Sequence, residues 1–467
     1  MKNFIKTVSI LAFGLFVNSC SKNDPAPAAP PAANVLKVNS AAPIVTATDV
    51  TLGGEVVSDG GKPVTERGIC IGETLNPVKD DVNGFTDING AGLGVFTKAY
   101  SIDAGTPPNT AFHYRAFAKN ADGVVYSDDK TFVTLSSAAC NVIQVNSNNT
   151  SINITTPTTW TAGNVYVIKK DVRVSSVLTI EPGVVIKIQD AQIEISTNGK
   201  IIANGTANNR IVFTSFNDDS YCGDSNGDGS ATLPTKGDWD AFRFYAGTGY
   251  QFKYCDFLYA GRVYGKCFKI DTDTAFLFDH CTFAHIKGAS ASDSYVIYGR
   301  DNMYDASVHQ FTNNAIYDCD RPMFISHGYT VNPNNIFHNP NNVNEGNTRN
   351  GIYMYDYGFS LSTVTWGVTE VPYVVTAYLQ YPSTKTVNIG PNVVVKTTGA
   401  SYGISYQGNS INLNPSAILT SYKDDTVGGD TNGDGNASSP ANGDWYGLRN
   451  QTANNFVHTA NVRYAAN

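Results

Sequence analysis

The sequence predicts an all-β protein in which a small β-sandwich is followed by a β-solenoid. Glycine, asparagine, threonine, valine and tyrosine are abundant, whereas helix-type periodicity is scarce. From residue 160 onward, very short apolar runs alternate with Gly, Asn or Pro turns, as expected for stacked coils. The C-terminal part also repeats an earlier segment, and 467 residues are too many for one ordinary core.

Composition and charge exclude some functions. The chain carries 32 Lys+Arg against 40 Asp+Glu, a net charge of -8, without basic runs. We therefore expect no nucleic-acid partner. Seven cysteines follow residue 20. Their number is odd and no CxxC pair occurs, so no disulfide framework is required and a zinc site is not expected.

Residues 1–19 predict a lipoprotein signal peptide. A basic start precedes the apolar run Val8–Val17, which is too short to cross a bilayer. The sequence Val-Asn-Ser-Cys that ends at Cys20 resembles a bacterial lipobox, which implies cleavage before Cys20 and lipidation of its thiol. Ser21–Asp24 also resembles the polar start of Bacteroidota surface lipoproteins. Residues 20–33 form a Pro/Ala tether. We expect a lipid anchor in the outer membrane and exposure at the cell surface; the alternative is an ordinary signal peptide.

Residues 34–135 predict the β-sandwich. Short alternating runs such as Val50–Val57 are separated by Gly, Pro and Asp clusters. The run Tyr114–Asn120 resembles the last strands of a fibronectin type III domain. That resemblance implies a spacer module rather than a ligand-binding one. Residues 136–157 are polar and are predicted to be a linker.

Residues 158–467 are predicted to form the solenoid. The segments Leu178–Ile188 and Gly199–Ser215 resemble the right-handed parallel β-helix, or pectin-lyase-like, family. The resemblance implies a fold that hosts polysaccharide lyases and glycoside hydrolases, without assigning an activity. Four alignable coils share one position, which is held by Cys255, Cys281, Asn314 and Asn335. We expect an internal ladder there, with asparagines hydrogen-bonded along the stack and cysteines filling space.

An acidic stretch occurs twice, as Asp218–Trp239 and as Asp424–Trp445. The copies are 206 residues apart and identical at thirteen of 22 positions. Similarity extends on both sides, so residues 158–260 are predicted to be duplicated as residues 364–466. The segment 261–363 between them is unique. A single specific function is better sought there than in a repeated unit.

Both acidic stretches contain the D-x-N-x-D-G spacing of calcium loops, in which a tight turn directs alternate oxygen ligands at one hard cation. The EF-hand pattern is incomplete, because its twelfth position falls on Thr235 and Ala441. The predicted ligands are Asp218, Asp219, Asp224, Asn226, Asp228 and Asp238 in the first copy and Asp424, Asp425, Asp430, Asn432, Asp434 and Asp444 in the second. We expect a structural Ca²⁺ in each loop; the alternative is two solvated acidic turns.

The unique segment contains an aromatic strip in which Tyr353, Tyr355, Tyr357 and Phe359 alternate. In a strand these rings would share one face. Facing outward, they would stack on the sugar rings of a polysaccharide. The alternative is that they pack beneath a loop or at the junction with the second copy.

The unique segment shows no complete catalytic set. Its candidate side chains are Asp271, Asp273, Arg300, Asp301, Asp305, Asp320, Arg321 and His327. Ser326-His327-Gly328 resembles one polygalacturonase motif, but that family's other Asp motifs are absent from the expected order. The leading hypothesis is a non-catalytic surface protein that binds a glycan or another extracellular ligand. The alternatives are a polysaccharide lyase or glycoside hydrolase of the pectin-lyase-like fold and a purely structural stalk.

Overall fold

A computed structural model of the chain describes most residues from 35 to 466. These are residues 35–45, 49–82, 84–102, 110–134, 140–229, 231–245, 247, 249–263, 265–271, 273–288, 294–299, 303–357 and 361–466. All regular elements among them are β-strands, which confirms the predicted all-β class. None of the described residues forms a helix able to cross a membrane. The predicted signal peptide and tether, with Cys20, lie outside the described residues.

The chain divides into two compact units. The first contains residues up to 41, 53–97 and 114–130, and the second contains residues 42–52, 98–113 and everything from 131 onward. The N-terminal strands form two antiparallel sheets. One sheet contains Leu36–Ser40, Ile44–Val45, Asp49–Asp59 and Gly94–Ser101; the other contains Glu66–Gly72, Phe85–Ile88, Ala111–Asn120, Gly123–Tyr126 and Lys130–Val133.

The β-helix begins after Cys140 and is built from three large parallel sheets. Residues 136–157 were predicted to be a linker, but Asn141–Gln144 and Ile152–Ile154 within them pair in parallel with the next coil, so the first coil starts earlier than the predicted residue 158. The seven-stranded sheet contains Asn141–Gln144, Asn164–Ile168, Val185–Ile188, Ile211–Ser215, Cys255–Leu258, Thr282–Ala284 and Ala315–Tyr317. The eleven-stranded sheet, called the long sheet below, contains Ile152–Ile154, Val172–Val174, Ile193–Ile195, Phe242–Phe244, Lys266–Ile270, Tyr295–Gly299, Met323–Ser326, Ile352–Tyr355, Tyr373–Val375, Val394–Thr397 and Ile418–Ser421. The six-stranded sheet contains Thr158–Trp160, Val177–Ile180, Lys200–Asn204, Tyr250–Lys253, Phe276–Asp279 and His309–Thr312.

Three smaller sheets complete the β-helix unit. A three-stranded parallel sheet contains Thr363–Trp366, Thr386–Ile389 and Ile411–Leu413. A four-stranded sheet contains Tyr378–Tyr381, Gly403–Tyr406, Gly447–Asn450 and Asn455–Phe456. A short antiparallel pair joins His338–Asn339 to Asn342–Gly346.

Phenylalanines fill the interior of the central coils. Parallel, in-register pairing places equivalent side chains above one another at the strand spacing of about 4.8 Å. Phe268 therefore stacks on Phe242, with ring centroids 4.9 Å apart, and its edge meets Phe257 at 4.8 Å. All three rings are fully buried. Such contacts add to the hydrophobic stabilisation of the stack.

The structure confirms the predicted internal ladder. Asn314 Nδ2 donates to Asn335 Oδ1 at 3.1 Å, and the main-chain N–H of Cys281 donates to Asn314 Oδ1 at 2.8 Å. Cys255 lies in the same buried column. The asparagines thus satisfy one another and main-chain groups where no water is available, while the cysteines serve as small apolar side chains.

The two copies form one continuous stack, but the second copy is rotated by one sheet. Ile352 pairs with Tyr373, so the long sheet runs without interruption from the unique segment into the second copy. Asn164–Ile168 in the first copy belongs to the seven-stranded sheet, whereas its counterpart Tyr373–Val375 extends the long sheet. The two acidic loops consequently lie over different sheets.

One buried histidine makes stability depend on pH. His309 is 1% exposed and lies among aromatic rings, with Phe276 at 5.0 Å. Burial lowers its pKa, although Asp273 and Asp305 oppose the shift. The folded protein therefore keeps His309 neutral, and the unfolded chain takes up the proton at its ordinary pKa of about 6.5. This contribution to stability is present above that value and is lost as the pH falls below it.

We expect His309→Phe to reduce the loss of stability on acidification. The measurement is the urea midpoint of unfolding at about pH 7.5 and about pH 5.5, on either side of the unfolded pKa. His458→Gln, which changes an exposed histidine, is the control and should behave as wild type. An identical acid-induced shift in the His309 variant and in wild type would contradict this assignment.

Candidate functional site

The acidic loops are fastened to the β-helix at both ends in the same way. In the second copy, Thr420 Oγ1 donates to Asp424 Oδ2 at 2.6 Å, and Ser421 Oγ donates to Asp444 Oδ2 at 2.7 Å. Thr214 and Ser215 make the equivalent bonds to Asp218 and Asp238 in the first copy. The tryptophan that ends each loop is fully buried, and its Nε1 donates to a main-chain carbonyl at 2.7 Å. Asp218, Asp238 and their counterparts thus anchor the loops to the strands.

Three carboxylates of each loop converge. Asp219, Asp224 and Asp228 each place one oxygen within 4.8 Å of the others, and Asp425, Asp430 and Asp434 do the same. These six of the twelve predicted ligands form two matching groups, here called the carboxylate groups. The four loop-anchoring aspartates lie outside them. Asn226 and Asn432 lie beside the groups, and their amides donate to Asp228 and Asp434 at 3.1 and 2.9 Å.

Electrostatics within the carboxylate groups are unfavourable without a counter-charge. Burial, together with the charges of Asp224 and Asp228, raises the pKa of Asp219, although Lys187 opposes the shift. Asp219 Oδ1 is buried and has no hydrogen-bond partner among the described residues. Asp224 differs, because the N–H groups of Gly227 and Gly229 donate to its oxygens at 2.6 and 2.8 Å and lower its pKa. The loop backbone therefore fixes the position of the Asp224 carboxylate and leaves Asp219 Oδ1 without a hydrogen-bond donor in the described part of the chain.

A fully buried lysine lies beneath each loop, which the sequence analysis did not anticipate. Lys187 Nζ donates to Gly223 O at 2.6 Å, and Lys396 Nζ donates to Gly429 O at the same distance. Burial lowers the pKa of Lys396 to about 8, against the opposing charges of Asp425 and Asp424. The signal was available, because PGVVIK and PNVVVK place a lysine at the same repeat position.

The loops differ in one covalent link. Cys222 in the first loop forms a disulfide with Cys140, which directly precedes the first β-helix strand. Gly428 occupies the position of Cys222 in the second loop and lies against Pro372. The odd cysteine count concealed this pair, although the Cys-to-Gly difference between the copies marked it.

The residues of the predicted aromatic strip differ in their exposure to solvent. Tyr353 is 3% exposed, and its hydroxyl contacts Tyr422 Oη at 2.8 Å and Thr431 O at 3.2 Å. It therefore packs beneath the second acidic loop, as the alternative interpretation expected. Tyr355 is half-buried and Tyr357 is 49% exposed. Phe359 lies outside the described residues.

Neighbouring strands add rings that a single-strand pattern could not reveal. Tyr298 and Phe324 are half-buried and in register, with centroids 5.6 Å apart, and Phe324 meets Tyr355 at 6.1 Å. These three rings, Tyr298, Phe324 and Tyr355, form the outer aromatic surface, on the solvent side of the long sheet. Tyr357 follows after a turn in which its main-chain N–H donates to Tyr355 O at 3.0 Å. Lys266 contributes an ammonium group 4.5 Å from the centre of the Tyr298 ring.

The described candidate catalytic side chains are engaged in several distinct contacts. Asp320 pairs with Arg349 at 2.8 Å and with Arg321 at 3.3 Å. His327 Nδ1 contacts Tyr381 Oη at 2.8 Å, and its Nε2 lies 3.3 Å from Asp356.

Asp271 pairs with Lys269 at 2.7 Å, and Asp305 accepts bonds from Ser307. Asp273 lies near the buried His309. Arg300 and Asp301 lie outside the described residues.

One family model agrees with the β-helix fold. A family model described as a pectate-lyase like beta helix domain matches residues 152–228. One similar solved structure is a family 28 exopolygalacturonase from Yersinia enterocolitica, at 11% identity and a TM-score of 0.25. The match covers 83% of this chain and 98% of that one. No curated protein matches the chain. This chain therefore contains a pectate-lyase-like, right-handed parallel β-helix preceded by antiparallel sheets, and the similarity assigns no activity.

Proposed function

We propose that this protein is a lipid-anchored, cell-surface β-helix that binds a glycan without catalysing a reaction on it. The observation that carries the proposal is the outer aromatic surface of Tyr298, Phe324 and Tyr355. It lies in the unique segment, where a specific function is expected. Several partly exposed rings on adjacent strands offer the apolar faces and polar hydroxyls that sugar rings require.

The rings are positioned by the rigid part of the fold. Tyr298 and Phe324 belong to consecutive strands of the long sheet, and Tyr355 ends the next strand. Parallel pairing spaces successive strands by about 4.8 Å, which is close to the length of one sugar unit. A linear polysaccharide lying along the sheet would thus meet successive rings without a conformational change. The buried Tyr353 supports this surface from beneath the second acidic loop.

Replacing Phe324 with alanine is expected to weaken retention of the bound polysaccharide roughly tenfold, since a buried aromatic contact contributes about 1–3 kcal/mol to binding. The measurement is affinity electrophoresis against a panel of soluble polysaccharides. Tyr402→Ala, which removes a 40% exposed tyrosine from the second copy, is the matched control. The same panel is scored for reducing and unsaturated ends. Their release by wild type would overturn the non-catalytic proposal in favour of a hydrolase or lyase.

The attachment to the outer membrane rests on Cys20 and the lipobox-like sequence before it. Lipidation of Cys20 would anchor the protein firmly if more than one acyl chain enters the bilayer. We expect Cys20→Ser to move the full-length protein from the membrane fraction to the soluble fraction. Fractionation of cells expressing each form measures this, and equal membrane association of the two forms would contradict the anchor.

We also propose that each carboxylate group holds a structural Ca²⁺. The converging oxygens, the unsatisfied carboxylate of Asp219 and the repetition of the same geometry in both copies support this assignment. Asp224 and Asp228, with Asp430 and Asp434 in the second copy, would supply carboxylate ligands. In this role the ion orders a long loop and takes no part in a reaction.

A further inference from the structure

A polar cavity lies at a corner of the β-helix, where the first copy passes from the seven-stranded sheet to the long sheet. Its volume is about 260 Å³. Its lining includes Gln189, Asp190, Phe216, Asn217, Asp238 and Arg262. None of these belongs to the carboxylate groups or to the outer aromatic surface.

An ion pair forms one wall of the cavity. Arg262 NH1 lies 2.6 Å from Asp190 Oδ1, and both side chains are about half exposed. This single contact leaves the second oxygen of Asp190 and further N–H groups of Arg262 available. Asp190 adopts a left-handed backbone conformation, with φ 51°, which aspartate tolerates better than most residues. A carboxylate beside a guanidinium presents a strong acceptor and strong donors at adjacent positions.

Two side-chain amides form another part of the lining. The side chain of Gln189 has no hydrogen-bond partner among the described residues, and the Asn217 amide makes only a 3.5 Å contact with Asp238. Asp238 is already satisfied, since Ser215 Oγ donates to it at 2.5 Å and the main-chain N–H of Thr235 at 2.9 Å. Phe216 is 7% exposed and carries the ammonium group of Lys169 over its ring at 4.4 Å, so the lining is mainly polar. Free amides around a charged pair match a compact polyol.

We propose that this corner cavity binds one neutral pyranose residue. Two neighbouring hydroxyls of the sugar would each use one side of the ion pair, one donating to Asp190 and the other accepting from Arg262. The amides of Gln189 and Asn217 would bond the remaining hydroxyls. The charged groups at the cavity are Asp190, Asp238 and the neighbouring Asp240, against Arg262 and Lys169, whose Nζ lies 4.4 Å from the centre of the Phe216 ring. Because the carboxylates outnumber the cations, the cavity favours neutral sugars over the corresponding uronic acids.

The cavity is specific to the first copy. The second-copy counterparts of Phe216 and Asn217 are Tyr422 and Lys423. Lys423 Nζ donates to Asp444 Oδ1 at 2.8 Å, and so occupies this part of the corner with an ion pair. The duplication has thus kept the acidic loop in both copies and the sugar-binding corner in one.

The test uses saturation-transfer difference NMR on the full chain with calcium present. The probes are glucose, galactose, mannose and N-acetylglucosamine, with galacturonate as the charged counterpart of galactose. We expect at least one neutral sugar to give a saturable signal, and galactose to bind more tightly than galacturonate. Arg262→Gln and Asp190→Asn should each weaken binding roughly tenfold, the usual effect of losing one charge-assisted hydrogen bond. Asparagine also tolerates the backbone conformation at position 190.

Arg173→Gln is the matched control, because it breaks a partly exposed ion pair with Glu194 on the long sheet, outside the cavity. It should bind the sugar as wild type does. Melting curves for every variant exclude unfolding as the cause of lost binding. The inference is overturned if no neutral sugar gives a saturable signal, or if Arg262→Gln binds as wild type. Phe324→Ala should leave monosaccharide binding unchanged, so failure of the polysaccharide proposal and failure of this one remain distinguishable.

Discussion

Removing one loop cysteine, by Cys222→Ser, is expected to lower the free energy of unfolding of the β-helix by about 4 kcal/mol. The disulfide joins residues 82 positions apart and ties the first acidic loop to the start of the first coil. Without it, the unfolded chain gains the entropy of an open loop, and the first strand loses a covalent restraint at the end of the stack. Urea unfolding under oxidising conditions measures the difference.

Cys140→Ser should reproduce this loss, and the double variant should lose no more than either single one, because both remove the same bond. Cys255→Ser is the control for replacing a buried thiol that forms no disulfide. A reductant should destabilise wild type and leave the Cys222 variant unchanged. Additive losses in the double variant would show that the two sulfurs do not act through one link.

Chelation of Ca²⁺ is expected to lower the melting temperature of the β-helix, and added Ca²⁺ should restore it. An ion present at a hundredfold excess over its dissociation constant stabilises the folded state by about 2.7 kcal/mol per site. Two occupied loops would together contribute about twice that value. The direct cause is that the ion compensates carboxylates that are partly buried and close together. Burial first, and then the neighbouring carboxylates, raise the pKa of Asp219 and of Asp425. Calorimetry with EDTA, and then with excess Ca²⁺ or Mg²⁺, measures the effect.

Single-site variants separate the two loops. Asp224→Asn and Asp430→Asn should each remove about half of the calcium-dependent shift, because each disables one group. Glu73→Gln changes an exposed acid that directly follows the strand Glu66–Gly72 and should keep the full shift. A melting temperature that changes with neither EDTA nor Ca²⁺ would contradict the calcium proposal and leave the loops as solvated acidic turns.

Local sequence patterns predicted much of the fold. Short strands between turn residues predicted a solenoid, and the alignment of Asn314 with Asn335 predicted a ladder whose hydrogen bonds the structure shows. These features depend on spacing along the chain, which a sequence displays. The one-sheet rotation of the second copy was not predictable in this way. It depends on how the unique segment connects Ile352–Tyr355 to Thr363–Trp366 and Tyr373–Val375.

The candidate site was predicted in part for the same reason. The D-x-N-x-D-G spacing located two carboxylates of each group. The third comes from the pair of neighbouring aspartates that begins each loop, and the sequence could not distinguish the anchoring Asp218 from the converging Asp219. Tyr353 was included in the exposed strip because alternation predicts which side chains share a face. Alternation does not predict whether another part of the chain covers that face. The outer aromatic surface needed Tyr298 and Phe324 from other coils, and only parallel pairing brings them beside Tyr355.

The rotation of the second copy changes what a duplication produces in this molecule. If equivalent strands of each copy joined the same sheet, the acidic loops would all lie along one side of the β-helix. Here the repeat restarts one sheet later, so the second loop covers the end of the long sheet beside Tyr353 while the first covers the seven-stranded sheet. Another copy added by the same operation would carry its loop on the remaining side. Each added copy would therefore lengthen the β-helix and also place its acidic loop on a different side of it.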